Sequence, residues 1–80
     1  MATINELAEA IGNNFDTLVN VYRTNDGLEV RDKFDDSVIC SIWNGRPCGV
    51  ASKQGTINSN HFDEMFVENC YQTVRKYFFN

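Results

Sequence analysis

The apolar positions of this chain change period twice. In "TINELAEAIG", residues 3–12, Ile4, Leu7, Ala8 and Ile11 recur at helical spacing and make one apolar stripe. Thr3 and Glu6 match the S/T-x-x-E capping box, and Gly12 reads as the C-terminal cap. A helix this short is marginal alone in water, so it must pack on something.

From "DTLVNVYRT", 16–24, β-branched and aromatic residues alternate with polar ones, which predicts a strand. "NDG", 25–27, is a turn. "LEVRDKF", 28–34, sets Leu28, Val30 and Phe34 against Glu29, Arg31 and Lys33, so one face is dry and one wet. "DDS", 35–37, is a second turn. "VICSIW", 38–43, is apolar on both faces and predicts a central strand or one covered on both sides. "NG", 44–45, is the strongest hairpin signal, and "RPCGVAS", 46–52, is the return strand, with Pro47 marking it as an edge or as short.

"KQGTINSN", 53–60, reads as a polar loop. "HFDEMFVENCYQTVRKYFF", 61–79, reads as a long helix capped by Ser59 or Asn60, with Asp63 and Glu64 in its first turn and Arg75 and Lys76 in its last. Phe62, Met65, Phe66, Cys70, Thr73, Val74 and Tyr77 share one face, widened by Val67, Tyr71 and Phe78. The whole of 1–80 is one domain. The expected class is α+β: a short N-terminal helix, a three- to four-stranded antiparallel meander, and a long C-terminal helix packed on the sheet.

With Asn44 and Gly45 as a two-residue turn, Trp43 lies opposite Arg46, Ser41 opposite Cys48, and Cys40 opposite Gly49. Cys40 and Cys48 then point to opposite faces and are badly placed for a disulfide. Trp43 shares its face with Ile39, Cys48 and Val50. Val38, Cys40 and Ile42 take the other face. One set meets the helices. The other is covered by the N-terminal helix or by 53–60, or it is an interaction surface built on Ile39, Trp43 and Val50.

Composition narrows the chemistry. Net charge is -4 with a pI near 4.7, and the seven basic residues are scattered, so no basic stripe exists for direct nucleic-acid binding. No apolar run is long enough to span a bilayer. The N-terminal stretch lacks the pattern of a secretory signal, so a cytoplasmic location is expected. Cys40, Cys48, Cys70 and His61 match no standard zinc spacing, and no C-x-x-C, P-loop, G-x-G-x-x-G or H-E-x-x-H pattern occurs. Three reduced, semi-buried cysteines are expected, with no metal, no cofactor and no catalytic residue. The lone histidine has no nucleophile tied to it by spacing.

The acids are more suggestive. Asp26, Glu29, Asp32, Asp35 and Asp36 fall within one short segment, offset only by Arg31 and Lys33. Asp32 sits on the dry side of its strand. Turn chemistry accounts for several of these, but such a surface also suits a basic groove on another protein.

In size, acidity, lack of catalytic motifs and helix–meander–helix order, the chain resembles the small acidic inhibitor proteins encoded by phages and prophages. "INELAEAI" followed by "FDTLVNVYRTND" is similar in pattern to the start of anti-CRISPR proteins of Listeria prophages. The resemblance implies a non-enzymatic inhibitor whose acidic side chains block a site that would hold DNA. The partner would be a protein, such as a basic nucleic-acid-handling complex. The alternative expectation is a structural or assembly protein that forms homo-oligomers, a homodimer among them, through its sheet face or edge strand.

Overall fold

The computed structural model describes residues 3–79. It has the expected α+β class, with one strand more than the pattern predicts. Helix α1 spans Ile4–Asn14. Five strands follow: β1 Val19–Arg23, β2 Gly27–Asp32, β3 Val38–Trp43, β4 Cys48–Ser52 and β5 Gly55–Ser59. Helix α2, Glu64–Phe79, closes the chain. The strands form one antiparallel sheet in sequence order, so each neighbour is reached by a hairpin.

Local chemistry explains most boundaries. Thr3 caps α1: its side chain accepts from the Glu6 N–H at 3.1 Å. The helix runs through Gly12 to Asn14, and Phe15 caps it by donating its N–H to the Ile11 carbonyl. Gly12 is therefore interior and not the predicted cap. The cap of α2 is Asp63, whose Oδ1 accepts from the Phe66 N–H at 3.0 Å. Ser59, one of the predicted caps, instead accepts from the His61 N–H and donates to the His61 carbonyl.

Both helices pack on one face of the sheet. Leu7 and Ile11 of α1, with Phe15, join Val19, Leu28 and Val30; Phe66, Cys70 and Val74 of α2 complete the same cluster with Ile42, Cys48 and Val50. α1 lies over β1 and β2, and α2 over β3 and β4. Each fully buried large apolar side chain here contributes on the order of 1.5–3 kcal/mol through its removal from water.

Two register details differ from the pattern's prediction. The β3–β4 connection is not a two-residue turn. Trp43 pairs with Gly49, Ile42 with Val50, Ser41 with Ala51 and Cys40 with Ser52. Pro47 lies in the loop that joins them. The Asn44 N–H donates to the Asp26 carbonyl at 2.8 Å, which extends the β2–β3 ladder one step past Trp43 and holds Asn44 against the β1–β2 loop. Cys40 and Cys48 thus share the helix-facing side. The second difference is a bulge between β2 and β3, where Val30 pairs with Cys40 and Arg31 with Val38. The extra residue, Ile39, turns into the core beside Cys40.

Candidate functional site

The register places alternate residues of all five strands on the side away from the helices. One cross-strand row is Tyr22, Glu29, Ser41, Ala51 and Thr56; the next is Gly27, Trp43, Gly49 and Asn58. Asn20, Arg31 and Val38 form a third. Both helices pack on the other side, so neither covers these rows; Tyr22, Val38, Thr56 and Asn58 are exposed and Trp43 is half-buried. The two elements proposed to cover Trp43 lie elsewhere: α1 is on the opposite side, and most of 53–60 is β5, in the sheet itself.

Trp43 is the centre of this face. Its cross-strand neighbours are Gly27 and Gly49, and the indole lies across Gly49. A Cβ at 49 would stand 2.1 Å from Trp43 Cζ2, so only glycine leaves room for the ring. An aromatic laid over a strand glycine restores the packing that the missing side chain gives up. Gly27 serves another contact: a Cβ there would meet the Ile42 carbonyl oxygen at 1.9 Å.

Toward β1 the face becomes charged. Arg31 donates to Glu29 Oε1 at 2.6 Å and to Asp36 Oδ2 at 3.1 Å, and its guanidinium stands 6.0 Å from the centre of the Tyr22 ring. Hydrogen bonding to Glu29 holds the Arg31 pKa above its ordinary value. Tyr22 and Val38 are exposed large side chains on this face, at 46% and 42%.

The predicted partner-binding residues separate accordingly. Trp43 and Glu29 lie on the open face, with Asp36 tied to it through Arg31. Asp26 borders it and accepts from the Thr24 hydroxyl at 3.1 Å. Ile39 and Val50 do not share the Trp43 face: they are 3% and 1% exposed, on the helix side. Bulge and register, respectively, put them there. Asp32 and Asp35 organise the β2–β3 turn. Asp32 Oδ1 accepts from the Phe34 N–H at 2.8 Å, and Asp35 Oδ1 from the Ser37 N–H at 2.9 Å. That backbone bond holds the Asp35 carboxyl below its ordinary value. Asp36 supplies the positive φ of the same turn, at 63°.

The three cysteines are reduced and buried. Burial pushes the Cys40 and Cys70 thiols up to about 12 and raises that of Cys48. Cys48 donates to the Ser59 carbonyl at 3.2 Å. Among the described residues no group of three or more His, Cys, Asp or Glu is placed to hold a metal ion, and no helix is long and apolar enough to cross a membrane.

No family model, no curated protein and no solved structure matches the chain.

Pattern reading passed over Tyr22, Arg31, Val38 and Gly49. Tyr22 and Arg31 were visible as alternate positions of their strands. Gly49 could be assigned only with the β3–β4 register known.

Proposed function

We propose that this chain is a non-enzymatic protein-binding module that docks through the uncovered face of its sheet. One observation carries the reading: both helices pack on one side, and the other side presents Trp43, already seated across Gly49. An indole held in place before binding loses little rotamer freedom on contact, and tryptophan is enriched among the residues that dominate interface energetics. Around it, Ser41, Ala51 and the two glycines keep the surface low, so a partner can approach the ring closely.

Charge sets the class of partner. Asp26, Glu29 and Asp36 border the face, and Arg31 is tied to two of them. The local balance is negative, as is the whole chain at -4. A partner with a basic surface fits, with electrostatics steering the encounter and Trp43 anchoring it. The acidic part of this reading is what the resemblance to phage-encoded inhibitors implies, since those proteins use acidic side chains to block a site that would hold DNA.

The test is differential affinity capture from the lysate of the source cell, at low and high salt, with wild type, Trp43→Glu and Met65→Lys as baits. Met65 is 76% exposed on α2 and serves as the control. The expected result is a basic protein retained by wild type and Met65→Lys, lost with Trp43→Glu and weakened at high salt. Equal retention by all three baits overturns the proposal.

A further inference from the structure

β5 forms one free edge of the sheet and β1 the other. Natural edges are usually blunted by a charge, a proline, a bulge or a covering element. The β1 edge is blunted: it ends in Arg23, which donates to Asn5 of α1. The β5 edge has no such device. Gly55, Thr56, Ile57, Asn58 and Ser59 are uncharged, none is proline, and the first four are exposed.

The unpaired groups of this edge can be assigned. Ser52 pairs with Gly55 across a two-residue turn, Lys53 and Gln54. A pair so close to the turn can be only the hydrogen-bonded kind. Bonded and non-bonded pairs alternate along an antiparallel ladder. Val50 with Ile57, and Cys48 with Ser59, are therefore bonded as well. The backbone groups of Gly55, Ile57 and Ser59 are spent on β4. Those of Thr56 and Asn58 point out of the sheet.

Two outward-pointing residues on either side of a central one make a self-complementary edge. Laid antiparallel against its own copy, Thr56 of each chain meets Asn58 of the other and exchanges both backbone bonds. Ile57 then faces its counterpart as the close, non-bonded pair. Ile57 shares the helix-facing side with Val50, yet is 42% exposed in a groove beside Asn69, Gln72, Thr73 and Lys76. Two such isoleucines cover each other. On the opposite side Thr56 and Asn58 form neutral pairs. No acid lies along the strand, so the charge of -4 is not opposed there. The flanking charges, Lys53 and Lys76, are exposed and long enough to turn into solvent.

We propose that β5 pairs with β5 of a second copy about a two-fold axis at Ile57, joining two five-stranded sheets into one. The axis is perpendicular to the sheet, so all four helices fall on one side. Both uncovered faces, each with its Trp43, fall on the other and form a single double-length surface. The inference stands on the edge geometry and does not depend on the identity of any partner.

The test is mass by sedimentation across concentration for wild type, Ile57→Lys and Trp43→Ala. Wild type and Trp43→Ala are expected to rise from the 9.1 kDa monomer toward twice that mass. Ile57→Lys is expected to stay monomeric with an unchanged circular dichroism spectrum. Cross-linking fixes the register and serves if Ile57→Lys fails to fold. Under mild oxidation Ile57→Cys should dimerise covalently at least about tenfold faster than Thr56→Cys, because only the central pair brings its Cα atoms within disulfide reach. A monomer at the highest soluble concentration overturns the proposal. So does a dimer that Ile57→Lys leaves intact, or equal cross-linking at 56 and 57.

Discussion

The Tyr77 hydroxyl donates to Asp32 Oδ2 at 3.1 Å, while Oδ1 of the same carboxylate accepts from the Phe34 N–H at 2.8 Å. One side chain thus ties the last turn of α2 to the end of β2 and shapes the turn that follows. It explains an acid on the dry side of a strand: Asp32 sits at the margin of the helix-covered face, where a tyrosine reaches it.

This tie predicts a pH effect with a definite sign. Burial, then the bond to Asp32 and the charges of Asp32 and Asp35, raise the Tyr77 phenol above its ordinary value. A folded pKa above the unfolded one contributes stability that is intact below about pH 10 and lost as pH climbs through the folded value. Tyr77→Phe should lower the melting temperature at neutral pH and remove part of the alkaline loss expected of wild type. Thermal melts between neutral and strongly alkaline pH measure both. Asp35 works in the opposite sense. Its lowered pKa contributes stability above about pH 4 that is lost as pH falls.

Trp43 and Gly49 should be energetically coupled. Gly49→Ala pushes a methyl into the indole and should destabilise by about 1–3 kcal/mol. In a Trp43→Ala background the same substitution should be milder, with a coupling of about 0.5–3 kcal/mol. Gly27→Ala meets backbone, the Ile42 carbonyl, so removing Trp43 should not rescue it. Denaturant melts of the single and double variants decide this. Simple additivity at 43 and 49 would show that the indole does not rest on Gly49.

The thiols should be slow to react. With Cys40 and Cys70 pushed up to about 12 and all three cysteines buried, very little thiolate exists at neutral pH. Iodoacetamide should label them only as fast as the domain opens, and urea should accelerate all three together. Rapid labelling of any one in the folded protein would restore a nucleophilic role for it.

The short first helix should depend on the sheet. Leu7 is 1% exposed and Ile11 fully buried, both against β1 and β2. Leu7→Ala should cost about 2–5 kcal/mol. Urea unfolding followed by circular dichroism measures it, and a cost below the lower bound would mean that α1 is not part of the core.

What the sequence made legible follows from where periodicity survives. α1, β1, β2 and α2 each bury one side, so Leu7 and Ile11, or Leu28 and Val30, announce themselves. β5 buries almost nothing: "GTINS" is an exposed edge with one apolar residue, and hydrophobic patterning carries no signal there. A bulge breaks the period of two within "VIC" and turns Ile39 to the helix side, away from Trp43. Val50 leaves the Trp43 side because "NG" does not close a two-residue turn: the connection runs from Asn44 to Pro47 and Trp43 pairs with Gly49. Both departures are non-local. That Trp43 stands on one face of a strand apolar on both sides is legible; its seat on Gly49 and the side it faces are not. The acid cluster was legible as charge, but its use in building turns through Asp32 and Asp35 needed the hydrogen bonds.

The central claim is that the uncovered sheet face is where this protein meets its partner, and Trp43, the sole tryptophan of the chain, reports on it directly. The most direct measurement is the fluorescence of this position during titration with the captured protein, with 7-azatryptophan incorporated in place of Trp43 so that excitation to the red of ordinary tryptophan absorption selects it over the tryptophans of the partner. The account predicts that the emission at this position shifts to the blue and loses its acrylamide quenching as the partner saturates. Saturable binding that leaves its emission and quenching unchanged would contradict it.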